Sequence, residues 1–336
     1  MPQSAWLGKS PLSAQPNCSN VAAPSAFAPL SRMFRCLILA FVFAATPASA
    51  LQPVPVADGV YAFVGERGEI GPANSGNVGN SGFIVGRSGV IVIDTGASYA
   101  HGKQMIAAIR AVSDKPIALV IITHAVQEFV FGAAAFTEAG APLLTHAKSA
   151  ELMRERCNHC LENLTTQLGT QAMARTRLVV PKKTLERSQS LREGGREIDV
   201  LYFGWASTPG DVVVVDRATG VAFAGGLISN RRIPELRDGQ LAGWLDALAQ
   251  LKRTSARTIV PGHGPVGGLE LADATAQYLR ALDAQVQNHY QRGATLTQTV
   301  DNVPLPAYEN WDLYPMLHRQ NALHRFLQLE TEELSR

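Results

Sequence analysis

Two thiols and an imidazole stand close together at Arg156-Cys157-Asn158-His159-Cys160. In an oxidising compartment a C-x-x-C pair can close a disulfide, exchange with other thiols, or hold a soft metal beside an imidazole. With no second such pair in the chain, a structural zinc site lacks half its donors. The stretch from Lys148 to Leu168 that carries Cys157 and Cys160 is helix-like. A structural disulfide, or two thiols sharing one helical face, is therefore the plainer reading. The second concentration of polar chemistry closes an apolar run. Residues 117–136 read IALVIITHAVQEFVFGAAAF, an apolar strand ending in Thr123-His124 and then a turn that opens a helix. Other catalytic patterns are missing. Gly204-Trp205-Ala206-Ser207 lacks the spacing of a serine elbow. Gly76, Gly79 and Gly82 lead to neither a helix start nor a phosphate-loop lysine, and read as a loop over the edge of the site.

These residues must be placed by an alternation of strands and helices. Gly82 to Gly86 and Val90 to Asp94 are short, β-branched and glycine-bounded, as in a hairpin. His101 to Val112 has helical spacing, and Ile117 to Ile122 is apolar throughout, as in a strand covered on both faces. The spacing predicts one helix over Gln127 to Glu138, a strand at Leu143 to Thr145 and a helix over 148–168. A second half repeats the theme. Its strands are Ile198 to Phe203, Val212 to Asp216, Val221 to Ala224 and Thr258 to Val260. Its helices run from Leu241 to Leu251 and from Leu271 to Gln291, with a last one over Trp311 to Glu333. Two comparable halves of this kind argue for an α/β (α+β) fold of sheets covered by helices, in a single domain over 51–336. Asp211, after Pro209-Gly210, reads as a turn residue before the next strand.

The amino terminus stands apart from that body. Arg32-Met33-Phe34-Arg35, the apolar run Leu37 to Ala45 and the small residues Ala48-Ser49-Ala50 read as a signal peptide over 33–50, cleaved before Leu51. The apolar run is shorter than the ~20 residues of a bilayer span. Residues 1–32 lie upstream of a second start at Met33 and read as an over-long gene call or a disordered leader. The expected location is periplasmic or secreted, with no membrane span after cleavage. Of the 336 residues, 30 are Lys or Arg and 28 Asp or Glu. Such a balance offers no electrostatic footprint for nucleic acid.

The landmarks Val92-Ile93-Asp94-Thr95-Gly96, Thr123-His124, Ser207-Thr208-Pro209-Gly210-Asp211, Ala224-Gly225-Gly226 and Pro261-Gly262-His263-Gly264-Pro265 together resemble the metallo-β-lactamase superfamily. The resemblance runs from Asp58 to about Glu333. It implies an αββα sandwich, two β-sheets packed face to face with helices on the outer faces. It also implies zinc, held at a strand-to-turn junction that reads T-H-x-H-x-D-H in the family. Here His124 matches the first histidine, while Val126, Glu128 and Phe129 stand where the family has His, Asp and His. Ser207 replaces the histidine of H-T-P-G-D, Gly226 stands where a bridging carboxylate is expected, and His263 is retained. His124, Glu128 and His263 remain as candidate metal ligands, an incomplete set for a zinc that needs three donors and an open position. Glu128 and Asp94 are the candidate catalytic carboxylates, Asp94 in a role that orients ligands.

Gly204-Trp205-Ala206, Gly243-Trp244-Leu245 and the tail from Trp311 to Glu330 narrow the resemblance to the quinoprotein relay system metallohydrolases, exported proteins associated with quinone-dependent periplasmic dehydrogenases. The substitutions at Val126, Phe129, Ser207 and Gly226 predict a non-hydrolytic pseudoenzyme that binds a small molecule or a periplasmic partner. Val126, Phe129, Ser207 and Gly226 would line its pocket, which Phe129, Phe131 and Trp205 would make apolar. The alternative is a mononuclear zinc hydrolase of an ester, thioester or lactam, built on His124, Glu128 and His263. A third reading is a thiol-redox or copper-handling accessory centred on Cys157, His159 and Cys160.

Overall fold

Alternating side chains of apolar strands build the molecule in four layers. The computed structural model describes residues 51–335. The signal peptide and leader expected over residues 1–50 lie outside the described residues. One sheet has seven strands in chain order: β1 (Val54–Ala57), β2 (Val60–Phe63), β3 (Ser81–Val85), β4 (Val90–Ile93), β5 (Ile117–Ile121), β6 (Leu143–His146) and β7 (Lys183–Leu185). The other runs β12 (Thr258–His263), β11 (Val221–Ser229), β10 (Val212–Asp216), β9 (Arg196–Tyr202), β8 (Gln189–Glu193). β4 to β7 pair in parallel, as do β11 and β12, and the remaining pairs are antiparallel.

Successive side chains of a strand point to opposite faces, so strands buried on both sides carry no polar alternation. In β4, Ile91 and Ile93 point between the sheets while Val90 and Val92 point outward to helices. In β10, Val212 and Val214 meet the first sheet and Val213 and Val215 meet the opposite helices. Phe223 fills the space between the sheets against Gly82, where a Cβ would lie 2.4 Å from its ring.

The first sheet is covered by α1 (Tyr99–Val112), α2 (Gln127–Val130), α3 (Ala133–Glu138) and α4 (Ala147–Leu168). The second is covered by α5 (Leu241–Leu251), α6 (Glu270–Gln291), α7 (Leu296–Asp301) and α8 (Arg319–Leu334). The αββα sandwich is thus realised. Among the described residues, no helix is long and apolar enough to cross a membrane.

Two elements differ from expectation. The helix predicted over Gln127 to Glu138 is split into α2 and α3 at Phe131-Gly132. There the chain passes so close to Thr95 that a Cβ on Gly132 would lie 1.8 Å from its carbonyl oxygen. The last helix starts at Arg319 rather than Trp311. Leu313 adopts φ 62°, and a π-helical turn Tyr314–His318 precedes the regular turns.

A side chain that carried no sequence signal ties the two halves together. Asn80, 3% exposed, accepts from Gly65 N at 2.8 Å and donates to Pro261 O at 2.8 Å and Gly264 O at 2.7 Å. Its own N–H donates to Gly262 O at 2.7 Å. The loop holding His263 is therefore fastened to the start of β3. Asn80→Ala would leave the buried Pro261 carbonyl and the part-buried Gly65 N–H and Gly264 carbonyl without this partner. It is expected to cost about 2–4 kcal/mol, measured as a lower urea midpoint at unchanged slope.

Candidate functional site

The ends of the two sheets meet around Asp94. This residue follows β4 in the left-handed region, φ 60°, a conformation that aspartate tolerates better than most residues. Only 2% exposed, it accepts from Thr123 N and Thr123 Oγ1, both at 2.8 Å. Burial raises the Asp94 carboxyl to about 7, against the lowering effect of the two Thr123 donors. Thr123 Oγ1 also lies 2.8 Å from His124 Nδ1, and Thr123 O accepts from Val212 N at 2.9 Å across to the second sheet. With Asp94 ionised, the hydroxyl donates to Asp94 and accepts from His124 Nδ1–H, which leaves Nε2 as the bare nitrogen. Burial pushes His124 down to about 3, so the imidazole is neutral at pH 7.

Glu128 and His263 stand on the other side of the same cavity, bonded to each other. Glu128 Oε1 lies 3.0 Å from His263 Nε2, and Glu128 is 6% exposed. Burial alone would raise the Glu128 carboxyl, but the His263 hydrogen bond and nearby charge outweigh it and hold it down at about 2. Burial and the Arg232 charge keep His263 below the ordinary histidine value. The pair is a carboxylate accepting from a neutral imidazole N–H.

Phe129 packs against both imidazoles, its ring centroid 4.3 Å from His124 and 5.4 Å from His263. It rests on Gly79, where a Cβ would come within 2.7 Å of the ring. Of the glycine series, Gly79 makes room for Phe129 and Gly82 for Phe223.

The cavity has a volume of about 50 Å³ and a wall of both polar and apolar groups. His124, Val126, Glu128, Ser207, Gly226 and His263 line it, with Arg232, Glu235 and Arg237 at its edge. Phe129, Phe131 and Trp205, the rings expected to line it, do not. Phe129 is 1% exposed and Phe131 fully buried, both in the core beneath α2, while Trp205 stands outside with 46% of its surface exposed. An apolar ring on a helix that packs against a sheet sinks into the core rather than facing a hollow. Ser207 lines the cavity, but its hydroxyl is engaged by a carboxylate. Its Oγ donates to Asp211 Oδ2 at 2.9 Å, and Thr208 donates to the same carboxylate through N at 2.7 Å and Oγ1 at 2.6 Å. Burial raises Asp211 to about 6 against those donors. At Gly226 a Cβ would lie 2.4 Å from Ser207 Oγ and 3.1 Å from His124 Nε2.

Arg232, Glu235 and Arg237 lie in an irregular segment after β11 that offered no motif to read. Arg232 Nη1 donates to Gly68 O at 2.7 Å, and Arg237 lies 3.3 Å from Glu235. Arg237 and Asp238 also border a larger groove walled by Leu152, Trp205 and Leu327. Cys157 and Cys160 are free thiols on α4, away from the cavity wall. Among the described residues no three His, Cys, Asp or Glu side chains form a group that could hold a metal.

A sequence model described as "Metallo-beta-lactamase superfamily" matches residues 75–263. The chain is 23% identical over 265 residues to the linear primary-alkylsulfatase of Pseudomonas sp. (strain ATCC 19151), covering 66% of this chain and 49% of that protein. It is 29% identical over 105 residues to the metallo-beta-lactamase type 2 of Bacteroides fragilis, covering 30% of this chain and 42% of that one. The chain thus spans less than half the length of either relative. Among solved structures, a metallo-beta-lactamase from Pontibacter korlensis superposes with a TM-score of 0.57 at 21% identity, covering 68% of this chain and 99% of that one. The superposition is a likeness of fold.

The Asp94 carboxyl makes a pH prediction. Its value in the folded protein, about 7, lies above its reference value of 3.8. The native state keeps a proton that the unfolded chain releases. Its contribution to stability is therefore full below pH 3.8 and is lost as pH rises towards 7. Asp94→Asn, isosteric and tolerant of the same φ, removes that loss. Its stability relative to the parent is expected to improve between pH 4 and pH 7, by at most about 4 kcal/mol. Urea unfolding of both proteins at several pH values measures the difference. A difference flat with pH would mean that Asp94 is ionised throughout.

Proposed function

Because the chain belongs to the metallo-beta-lactamase superfamily, we propose that it keeps the sandwich and the cavity of that family as a binding or accessory protein, without zinc hydrolysis. The carrying observation is the Glu128–His263 hydrogen bond at 3.0 Å, in which two of the three candidate ligands occupy each other, with the Phe129 ring packed against both imidazoles. The family implies zinc, and the donors here do not fit it. A catalytic zinc needs three donors converging on one point plus an open position. Val126 and Gly226 offer no donor, Ser207 is committed to Asp211, and Glu128 and His263 satisfy each other. Val126 and Glu128 stand in the T-H-x-H-x-D-H string where the family has His and Asp, and Ser207 and Gly226 stand in two later landmark strings.

The ligand class follows from the two adjoining hollows. A polar end would enter the cavity beside Arg232 and Arg237, and an apolar remainder would lie along Trp205 and Leu327. A relative named for linear primary alkyl sulfates supports an amphiphile of that shape. Export rests on the basic, apolar and small-residue segments of residues 32–50. Action beside quinone-dependent periplasmic dehydrogenases rests on the resemblance at Gly204-Trp205-Ala206, Gly243-Trp244-Leu245 and the tail.

Two measurements test this reading. Plasma mass spectrometry of protein purified without chelator is expected to find no zinc above a His263→Ala control. About one zinc per chain, lost in that control, would establish instead the mononuclear hydrolase built on His124, Glu128 and His263. Titration with a short-chain alkyl sulfate below its micellar concentration is expected to give a saturable change in tryptophan emission that Trp205→Phe removes. A response that never saturates, or that survives in Trp205→Phe, would sink the proposed ligand class.

A further inference from the structure

The thiols of α4 are placed unequally. Cys157 is 1% exposed and packs in the core beneath the first sheet, whereas Cys160, one turn further on, is half-buried at the surface. The two are hydrogen-bonded, with Cys157 S–H donating to Cys160. Both are free. Opposite them, the segment after β11 brings up Arg237, and Arg156 clamps α4 to that segment through Asp238. The groups facing Cys160 are thus Cys157 and His159 from its own helix and Arg237 from the opposite loop. Hydrogen bonding by Cys157 and burial push the Cys157 thiol up. The same hydrogen bond brings the Cys160 thiol down to about 7 against its own burial, and Arg237 adds to the effect.

We propose that Cys160 and Cys157 form a thiol–disulfide exchange centre, with Cys160 as the attacking thiol and Cys157 as the resolving thiol, and with a small-molecule disulfide as the oxidant. The Cys160 thiolate attacks one sulfur of the disulfide R–S–S–R. A mixed disulfide Cys160–S–S–R forms and R–S⁻ leaves. Cys157 then gives up its proton to that thiolate and attacks the Cys160 sulfur, expelling the second R–S⁻, which takes a proton from water. Two electrons pass from the dithiol to the small molecule, which ends as two R–SH.

Three observations favour exchange over the other readings of this motif. The asymmetry of exposure gives one sulfur that a reagent reaches and one that it does not. A metal reading fails at its third donor, because His159 is 78% exposed and lies 3.6 Å from Glu162. His159 is also two residues from Cys157 and one from Cys160, spacings at which helical side chains do not face each other. A fixed structural disulfide fares poorly too. Cβ atoms three apart on a helix are separated by about 5–6 Å, and a disulfide wants about 3.5–4.5 Å. Closing the bond must tighten one turn of α4, and a strained bond of this kind is readily reduced again.

The test uses the full protein, reduced and then exposed to oxidised glutathione, with the peptide bearing Cys157 and Cys160 resolved by mass spectrometry from those bearing Cys18 and Cys36. The expected product is an intramolecular Cys157–Cys160 disulfide that dithiothreitol reverses. Cys157→Ser should stop at the glutathione adduct on Cys160, and Cys160→Ser should not react at this helix. Iodoacetamide alkylation of Cys160, followed against pH, reports the hydrogen bond. Cys157→Ala should slow it at pH 7 by about tenfold or more, and Cys157→Ser, which still donates, should restore most of the rate. A persistent glutathione adduct in the parent protein, no reaction at Cys160, or an alkylation profile untouched by Cys157→Ala would overturn the proposal.

Discussion

A buried carboxylate answered by one threonine sets the geometry on which the site depends. Asp94 has no cation beside it, and both its hydrogen bonds come from Thr123. Because Thr123 also reaches His124 through its hydroxyl and Val212 through its carbonyl, one residue fixes an imidazole and couples the two sheets. The left-handed turn at Asp94 is what aims the carboxylate at the end of the neighbouring strand. Burying a carboxylate is costly unless its hydrogen bonds are made. The turn, the threonine and the first histidine are therefore one unit.

The layers and the central strands were legible in the sequence, and the reason is simple periodicity. Val90 to Ile93 and Val212 to Asp216 carry no polar alternation because both of their faces are covered, and a run of that kind identifies its own environment. The edge strands β1, β7 and β8 were harder, since their burial is partial and their composition mixed. The break between α2 and α3 depends on how closely Thr95 approaches Gly132, a distance set by tertiary packing.

The candidate site divides along the same line. His124, Glu128, His263, Val126, Ser207 and Gly226 all reach one cavity, each from a landmark string. Asn80 had no such string, yet it fastens the His263 loop. Phe129 misled, because hydrophobicity signals burial and does not specify which side of a helix the ring will take. Arg232, Glu235 and Arg237 sit in irregular chain, where no period exists to be read. Polar groups of that sort become visible only once the backbone has carried them to the rim.

Gly226 and Ser207 make this corner of the cavity an interdependent unit. A side chain at 226 would place its Cβ 2.4 Å from the Ser207 hydroxyl and 2.8 Å from the His124 ring. Ser207 in turn is held by Asp211. A change at any one of positions 124, 207, 211 and 226 therefore limits which side chains the other three accept.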